Sequence, residues 1–286
     1  CSVILLFHAV IHNFWHITKD TMLYYNLSTG AIYMDAFFIL SGFLLFYLYG
    51  NELNPKQFYL KRIVRLYPQY IVLTLAVIIY TKFYNLAIVP AQILCLQGFF
   101  PKIFKYAGNG GTWFVSCLAI SYLMFPVLKN IVNSTKKNLP AVFGIYLLII
   151  YISIFAFSFK IDAMSIYINP IYRMLEFAIG MYLAKIFVNI KKYPNFISIM
   201  LIGISALLIT ILVPSLYKHN FGKTYIYYSW LSIPVFSTLI LALANLKNEF
   251  TDMLKTSKAL KFVSGLTFPI YIWQCLTVDR KSTRLN

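Results

Sequence analysis

Long apolar blocks separated by short, lysine-rich connections run the length of the chain. They fall at 1–17, 29–50, 66–84, 112–128, 139–158, 170–187, 195–214, 225–245 and 262–278. An α-helix needs ~20 mostly apolar residues to cross a bilayer core, and most of these blocks approach that length. The pattern predicts an all-α, polytopic transmembrane helix bundle with about nine spans. Segment 86–101 is too short and too interrupted for a span. It is expected to lie at the membrane interface or to re-enter, where irregular backbone is tolerated if protein surrounds it.

Composition narrows the class further. The chain is 60% hydrophobic and only 12% charged, about half the charged fraction of a soluble domain, which excludes a water-soluble fold. The first apolar block lacks an initiating Met, a basic leader and a small-residue cleavage pattern, so it does not read as a secretion signal. Cys1, Cys95, Cys117 and Cys275 are widely spaced and read as buried thiols, not as a metal or redox framework. The net charge of +17 lies between apolar blocks instead of forming a nucleic-acid-binding stripe. With the start of the first helix inside, inner loops between residues 51 and 261 hold 14 basic residues and outer loops hold 7. That bias fits cytoplasmic connections at every second turn of the chain.

Both ends read as artificial. The chain opens mid-helix at Cys1, and Asp279 to Asn286 (DRKSTRLN) break from the preceding apolar helix and resemble a translated sequencing adapter. The expectation is a membrane domain at 1–278, incomplete at both ends, followed by a non-native tail at 279–286. Without that tail the formal charge is +15.

The candidate chemistry lies in polar residues within the apolar blocks. His8, His12 and His16 recur at every fourth position and share one helical face. Asp35 lies in the outer part of the second block. A carboxylate near His8 fixes its tautomer and stabilises the imidazolium formed on accepting a proton, which suits activation of an attacking hydroxyl. The same two residues can instead seal helix packing. His8 and His12 have the spacing of two metal ligands, but a catalytic zinc site needs a third ligand; no metal or redox cofactor is expected. His16 reads as an interfacial residue. Arg173 and Glu176, three residues apart, permit an ion pair on one face, either a structural pair or part of a polar substrate site.

Lys61, Arg62 and Arg65 crowd the start of the third block. Locally they favour a topology or anionic-lipid role, although their density also suits an anionic cofactor presented from the cytoplasm. Ser41-Gly42 form a small-residue notch for close helix or ligand approach. Asn109, Gly110, Gly111 and Thr112 form a flexible turn before Trp113, and Trp273-Gln274 place a polar pair inside the last block.

LLFHAV, MDAFFILSGFLL and FYLKRIVRLYPQY, in that order, resemble the membrane-bound acyltransferase 3 family, which includes O-antigen and Nod-factor O-acetylases. The resemblance continues through GTWFVSCLAISYLMFP, YRMLEFAIGMYLA and FVSGLTFPIYIWQ, covering residues 1–278. It implies about ten spans in a complete protein and transfer of an acyl group to a hydroxyl. The donor would be acetyl-CoA or another acyl-CoA, and the acceptor a cell-envelope polysaccharide, lipopolysaccharide or other lipid-linked glycan. His8 matches the family's catalytic histidine, Asp35 its acidic residue, and Lys61, Arg62 and Arg65 its donor-associated basic motif. Arg173 and Glu176 are the accompanying candidates, for oxyanion stabilisation and for orienting it. The setting implied is the bacterial cytoplasmic (inner) membrane, with membrane lipids as neighbours and no nucleic acid. The competing reading is a polytopic transporter or flippase of an envelope intermediate. Three family features are missing: a basic residue upstream of His8 would precede Cys1, Cys117-Leu118 replace an acidic residue after the TW pair, and Gln274 stands where histidine often occurs.

Overall fold

The computed structural model describes residues 2–11, 17–81, 88–100, 112–219, 229–247, 253 and 256–282. His12, His16, Asn109–Gly111 and residues 283–286 lie outside these, as does the side chain of Gln274. The described helices are α1 (Ser2–Ile11), α2 (Met22–Ser28), α3 (Tyr33–Tyr49), α4 (Pro55–Thr81), α5 (Ile88–Ile93), α6 (Trp113–Ser134) and α7 (Asn138–Ser158). They continue with α8 (Ala163–Tyr167), α9 (Pro170–Asn189), α10 (Asn195–Leu207), α11 (Val213–Lys218), α12 (Ser232–Asn245) and α13 (Lys258–Ser282).

Five helical stretches among the described residues are long and apolar enough to cross a membrane: Met22–Tyr49, Pro55–Ile79, Trp113–Ser134, Asn138–Ser158 and Asn195–Lys218. The protein is therefore an all-α, polytopic membrane helix bundle. Helix α9 has 20 residues, about 30 Å at 1.5 Å per residue, but carries Arg173, Glu176 and Lys185. Helix α12 has 14 residues.

Helix boundaries follow local chemistry. Thr21 caps α2 by accepting from the Tyr24 amide at 3.2 Å, and a 3-10 turn at Gly30–Ile32 carries the chain into α3. Asn169 accepts from the amides of Ile171 and Tyr172 at 2.9 and 3.3 Å; Pro170 follows it as the first helical residue, where its missing N–H has no intrahelical partner to lose. Helix α4 begins at Pro55, well before the apolar block expected from residue 66. Lys61, Arg62 and Arg65 are thus helical residues and not a loop at its mouth. Hydropathy set the expected boundary too late because Lys and Arg are polar yet good helix formers.

The centre of the bundle is α9. Its residues from Glu176 to Ala184 are buried all round, as expected of a helix enclosed by protein and not by lipid. Helices α3 and α9 run parallel and touch backbone to backbone. A Cβ at Gly42 would stand 1.9 Å from the Phe177 carbonyl oxygen, and one at Gly180 1.9 Å from that of Ile39. The notch at Gly42 therefore seats a helix, and Gly180 is its reciprocal partner. Helix α6 also runs parallel to α9: Phe125 meets Phe177, and Thr135 lies 2.9 Å from the Tyr182 hydroxyl. Large side chains such as Leu48, Ile79, Phe143 and Phe157 point outward, which suits contact with acyl chains.

One end of the bundle collects the C-termini of α3, α6, α9 and α12. Lys185 donates to the carbonyls of Val132, Asn133 and Thr135 at 2.7, 3.1 and 2.7 Å, satisfying the end of α6 and favoured by its dipole. Lys129, expected in a loop, lies inside α6 and reaches the Asn51 carbonyl at 3.4 Å. Asn245 donates to the Tyr193 carbonyl at 2.9 Å, and Asn195 to that of Lys247 at 2.5 Å. Lys136, Lys137, Lys191 and Lys192 sit in the connections at this end, while Lys19, Lys160 and Lys218 lie at the other. The described connections that carry these lysines thus sort to opposite ends of the bundle.

Candidate active site

The parallel arrangement brings the N-terminal ends of α3, α6, α9 and α12 together at the end opposite the lysine-rich one. Asp35 lies in the first turn of α3, Trp113 begins α6, Arg173 is the fourth residue of α9 and Ser232 begins α12.

Arg173 is the hub, and it is completely buried with Asp35 and Glu176. Its Nη1 donates to Asp35 Oδ1 at 2.5 Å and to the Glu176 oxygens at 2.6 and 2.8 Å. Its Nε donates to the Tyr167 carbonyl at 2.7 Å. The guanidinium lies 4.4 Å from the centre of the Tyr167 ring and 5.7–5.8 Å from those of Phe38, Trp113 and Tyr172. Ser232 donates to the second oxygen of Asp35. Two carboxylates facing one guanidinium leave a formal negative excess. The positive ends of α3 and α12 at Asp35 offset part of it.

The pairing of Arg173 with Glu176 expected from their spacing is present. Asp35 joins the same cluster across 138 positions of sequence, a link that sequence spacing does not announce. Ser232 was also missed, and its only local signal is a small polar residue beginning a short apolar helix. Arg173 Nη2 is buried and has no hydrogen-bond partner among the described residues. Five donors on one side chain and a water-poor setting make such an atom costly unless a ligand or water meets it.

His8 is half-buried on α1, its ring 5.2 Å from that of Phe7 in an edge-on arrangement. Phe7 packs on Gly30, where a Cβ would meet its side chain at 2.5 Å. The turn of α1 that bears His8 therefore lies against the segment leading into Asp35. Asp35 retains acceptor capacity beyond its bonds to Arg173 and Ser232, since a carboxylate offers about four lone-pair sites.

Lys61, Arg62 and Arg65 stand apart from this cluster. Arg62 lies 5.8 Å from the centre of the Tyr122 ring and Arg173 5.8 Å from that of Trp113. Nine residues of α6 separate these two rings, about 14 Å along the axis at 1.5 Å per residue. The basic motif and the buried charges thus occupy two levels of one bundle. Among the described residues, no group of three or more His, Cys, Asp or Glu is arranged to hold a metal ion.

Residues 1–278 match a family described as an acyltransferase domain (Acyl_transf_3). The chain is also similar to Acyltransferase MdmB of Streptomyces mycarofaciens, with 26% identity over 223 residues, which cover 69% of this chain and 57% of that protein. It therefore spans little more than half the length of that relative. No solved structure is a significant match.

Proposed function

This chain belongs to the acyltransferase domain family, and from that premise we propose that it moves an acyl group from acyl-CoA, most simply acetyl-CoA, to a hydroxyl of a cell-envelope polysaccharide, lipopolysaccharide or related glycan. The observation that carries this reading is the fully buried Asp35–Arg173–Glu176 cluster within a chain of that family.

His8 takes the proton of the acceptor hydroxyl, and Asp35 fixes its ring and stabilises the imidazolium. The hydroxyl oxygen attacks the thioester carbonyl, the C–S bond breaks, and His8 returns the proton to the departing sulfur. The free Nη2 edge of Arg173 is the donor available for charge developing on the carbonyl oxygen, and Glu176 holds the guanidinium in place. Lys61, Arg62 and Arg65 hold the donor's phosphates at the other level of the bundle. In this reading the lysine-rich end faces the cytoplasm of a bacterial inner membrane, where soluble donor is available.

The test follows isotope-labelled acetyl from acetyl-CoA onto isolated envelope glycans by mass spectrometry, with the purified protein in detergent or proteoliposomes. Labelled glycan ester is the expected result. Passage of unmodified glycan intermediate across proteoliposomes, without ester formation, contradicts the reading.

A further inference from the structure

Arg62 differs from the two basic residues beside it. Lys61 and Arg65 are exposed, but Arg62 turns into the bundle and is half-buried. Its guanidinium lies 5.4 Å from the centre of the Phe58 ring, 5.7 Å from that of Tyr49 and 5.8 Å from that of Tyr122. Tyr49 closes α3, Phe58 lies one turn before Arg62 on α4, and Tyr122 comes from the middle of α6. Three helices thus place an aromatic ring on one cation.

The rings also hold one another. Phe58 meets Tyr49 edge-on at 5.5 Å and Tyr122 edge-on at 6.5 Å, and it stacks on Phe125 at 4.9 Å. Tyr59 anchors the same turn of α4 by donating to the Leu123 carbonyl at 2.9 Å.

What surrounds the cation is as informative as what touches it. No carboxylate forms an ion pair with Arg62 among the described residues, where the ion pairs belong to Arg173. Arg62 Nη2 makes a long bond of 3.4 Å to the Tyr49 hydroxyl, and Nε is buried with no hydrogen-bond partner among the described residues. A carboxylate would neutralise the guanidinium. Aromatic faces instead offset part of its desolvation and leave its charge available. Tyr122 also lies within electrostatic reach of both Arg62 and Arg65, which sit within one turn of α4.

We propose that Tyr122, together with Tyr49 and Phe58, is a positioning residue for the acyl donor, holding the Arg62 guanidinium inward and unneutralised so that it meets a donor phosphate. Lys61 and Arg65 then attract the same anion from the exposed side of α4. This rests on the assignment of Lys61, Arg62 and Arg65 to the donor, and it makes Arg62 unequal to its two neighbours.

The test is calorimetric titration of coenzyme A into the purified protein at fixed ionic strength. Wild type is compared with Tyr122→Leu, Tyr122→Phe, Arg62→Gln and the double variant Arg62→Gln/Tyr122→Leu. Tyr122→Leu is expected to bind about tenfold more weakly, comparable to the loss of one desolvated cation–π contact, and Tyr122→Phe to stay within about twofold of wild type. The double variant should bind no more weakly than Arg62→Gln alone, because Tyr122 acts through Arg62. Additive losses, or a Tyr122→Leu protein that binds as wild type does, overturn the proposal and leave the donor assignment standing. A folded wild-type protein that does not bind coenzyme A removes the donor assignment and this proposal together. Tyr49→Leu carries the same expectation from a different helix, so failure of one variant to fold does not shield the idea.

Discussion

Replacing Arg173 by Met keeps an unbranched side chain of similar length but removes the only cation facing Asp35 and Glu176 among the described residues. The lost contacts are those of Nη1 with three carboxylate oxygens at 2.5, 2.6 and 2.8 Å and that of Nε with Tyr167 at 2.7 Å. Both carboxylates would remain fully buried without a cationic partner among the described residues. Removing one partner of a buried ion pair costs roughly 3–5 kcal/mol, whereas replacing every charged member by a neutral group is often close to neutral. Arg173→Met should therefore lower the thermal midpoint by about 10 °C, on the scale of a few degrees per kcal/mol for a chain of this size. The triple variant Asp35→Asn/Arg173→Met/Glu176→Gln should recover most of that loss while remaining inactive in acyl transfer. Thermal unfolding in a single detergent, followed by tryptophan fluorescence, measures both. A triple variant as unstable as the single one would refute the reasoning, because the loss would then come from packing at Arg173 and not from unpaired charge.

Gly42→Leu and Gly180→Leu should each prevent recovery of monodisperse protein, since a Cβ at either position already meets a carbonyl oxygen at 1.9 Å. Gly144→Ala and Gly203→Ala, where a Cβ meets nothing within 4 Å, should be neutral or stabilise by up to ~1 kcal/mol; chromatography and thermal midpoints separate the two outcomes. Lys185→Met should cost roughly 2 kcal/mol by uncovering three carbonyls at the end of α6, and hydrogen exchange should speed up first in the last turn of that helix. Lys192, in the connection between α9 and α10, has its pKa held below the ordinary lysine value of 10.5, first by partial burial against Phe187 and then by nearby Lys247. Its charge therefore weakens the fold at neutral pH, and that penalty fades as pH rises from the lowered value towards 10.5. Lys247→Gln should raise the Lys192 pKa by the smaller, coulombic share only, which NMR titration of labelled lysines can read.

The apolar blocks made the bundle legible because lipid leaves helices few alternatives for satisfying their backbone. The spacing of Arg173 and Glu176 likewise announced their pairing, since three residues on a helix fix a shared face. Other features were hidden for a physical reason. Asp35 reaches Arg173, and Ser232 reaches Asp35, only because α3, α9 and α12 run parallel, and no local periodicity encodes that order. Gly42 was visible as a notch, but its partner Gly180 became recognisable only once α3 and α9 were seen to touch. Lys129 and Lys185 read as loop charges, yet both bond to backbone carbonyls at helix ends. Arg62 reads like its neighbours in the motif, and only the rings of α3 and α6 set it apart.

The most direct measurement of the proposed chemistry compares turnover of labelled acetyl-CoA with an envelope glycan acceptor in wild type and in His8→Ala of unchanged thermal midpoint. Loss of a positioned general base should lower the rate about 10²–10⁴-fold while donor binding persists. Ester formation at the wild-type rate in folded His8→Ala would contradict the assignment of His8 as the base.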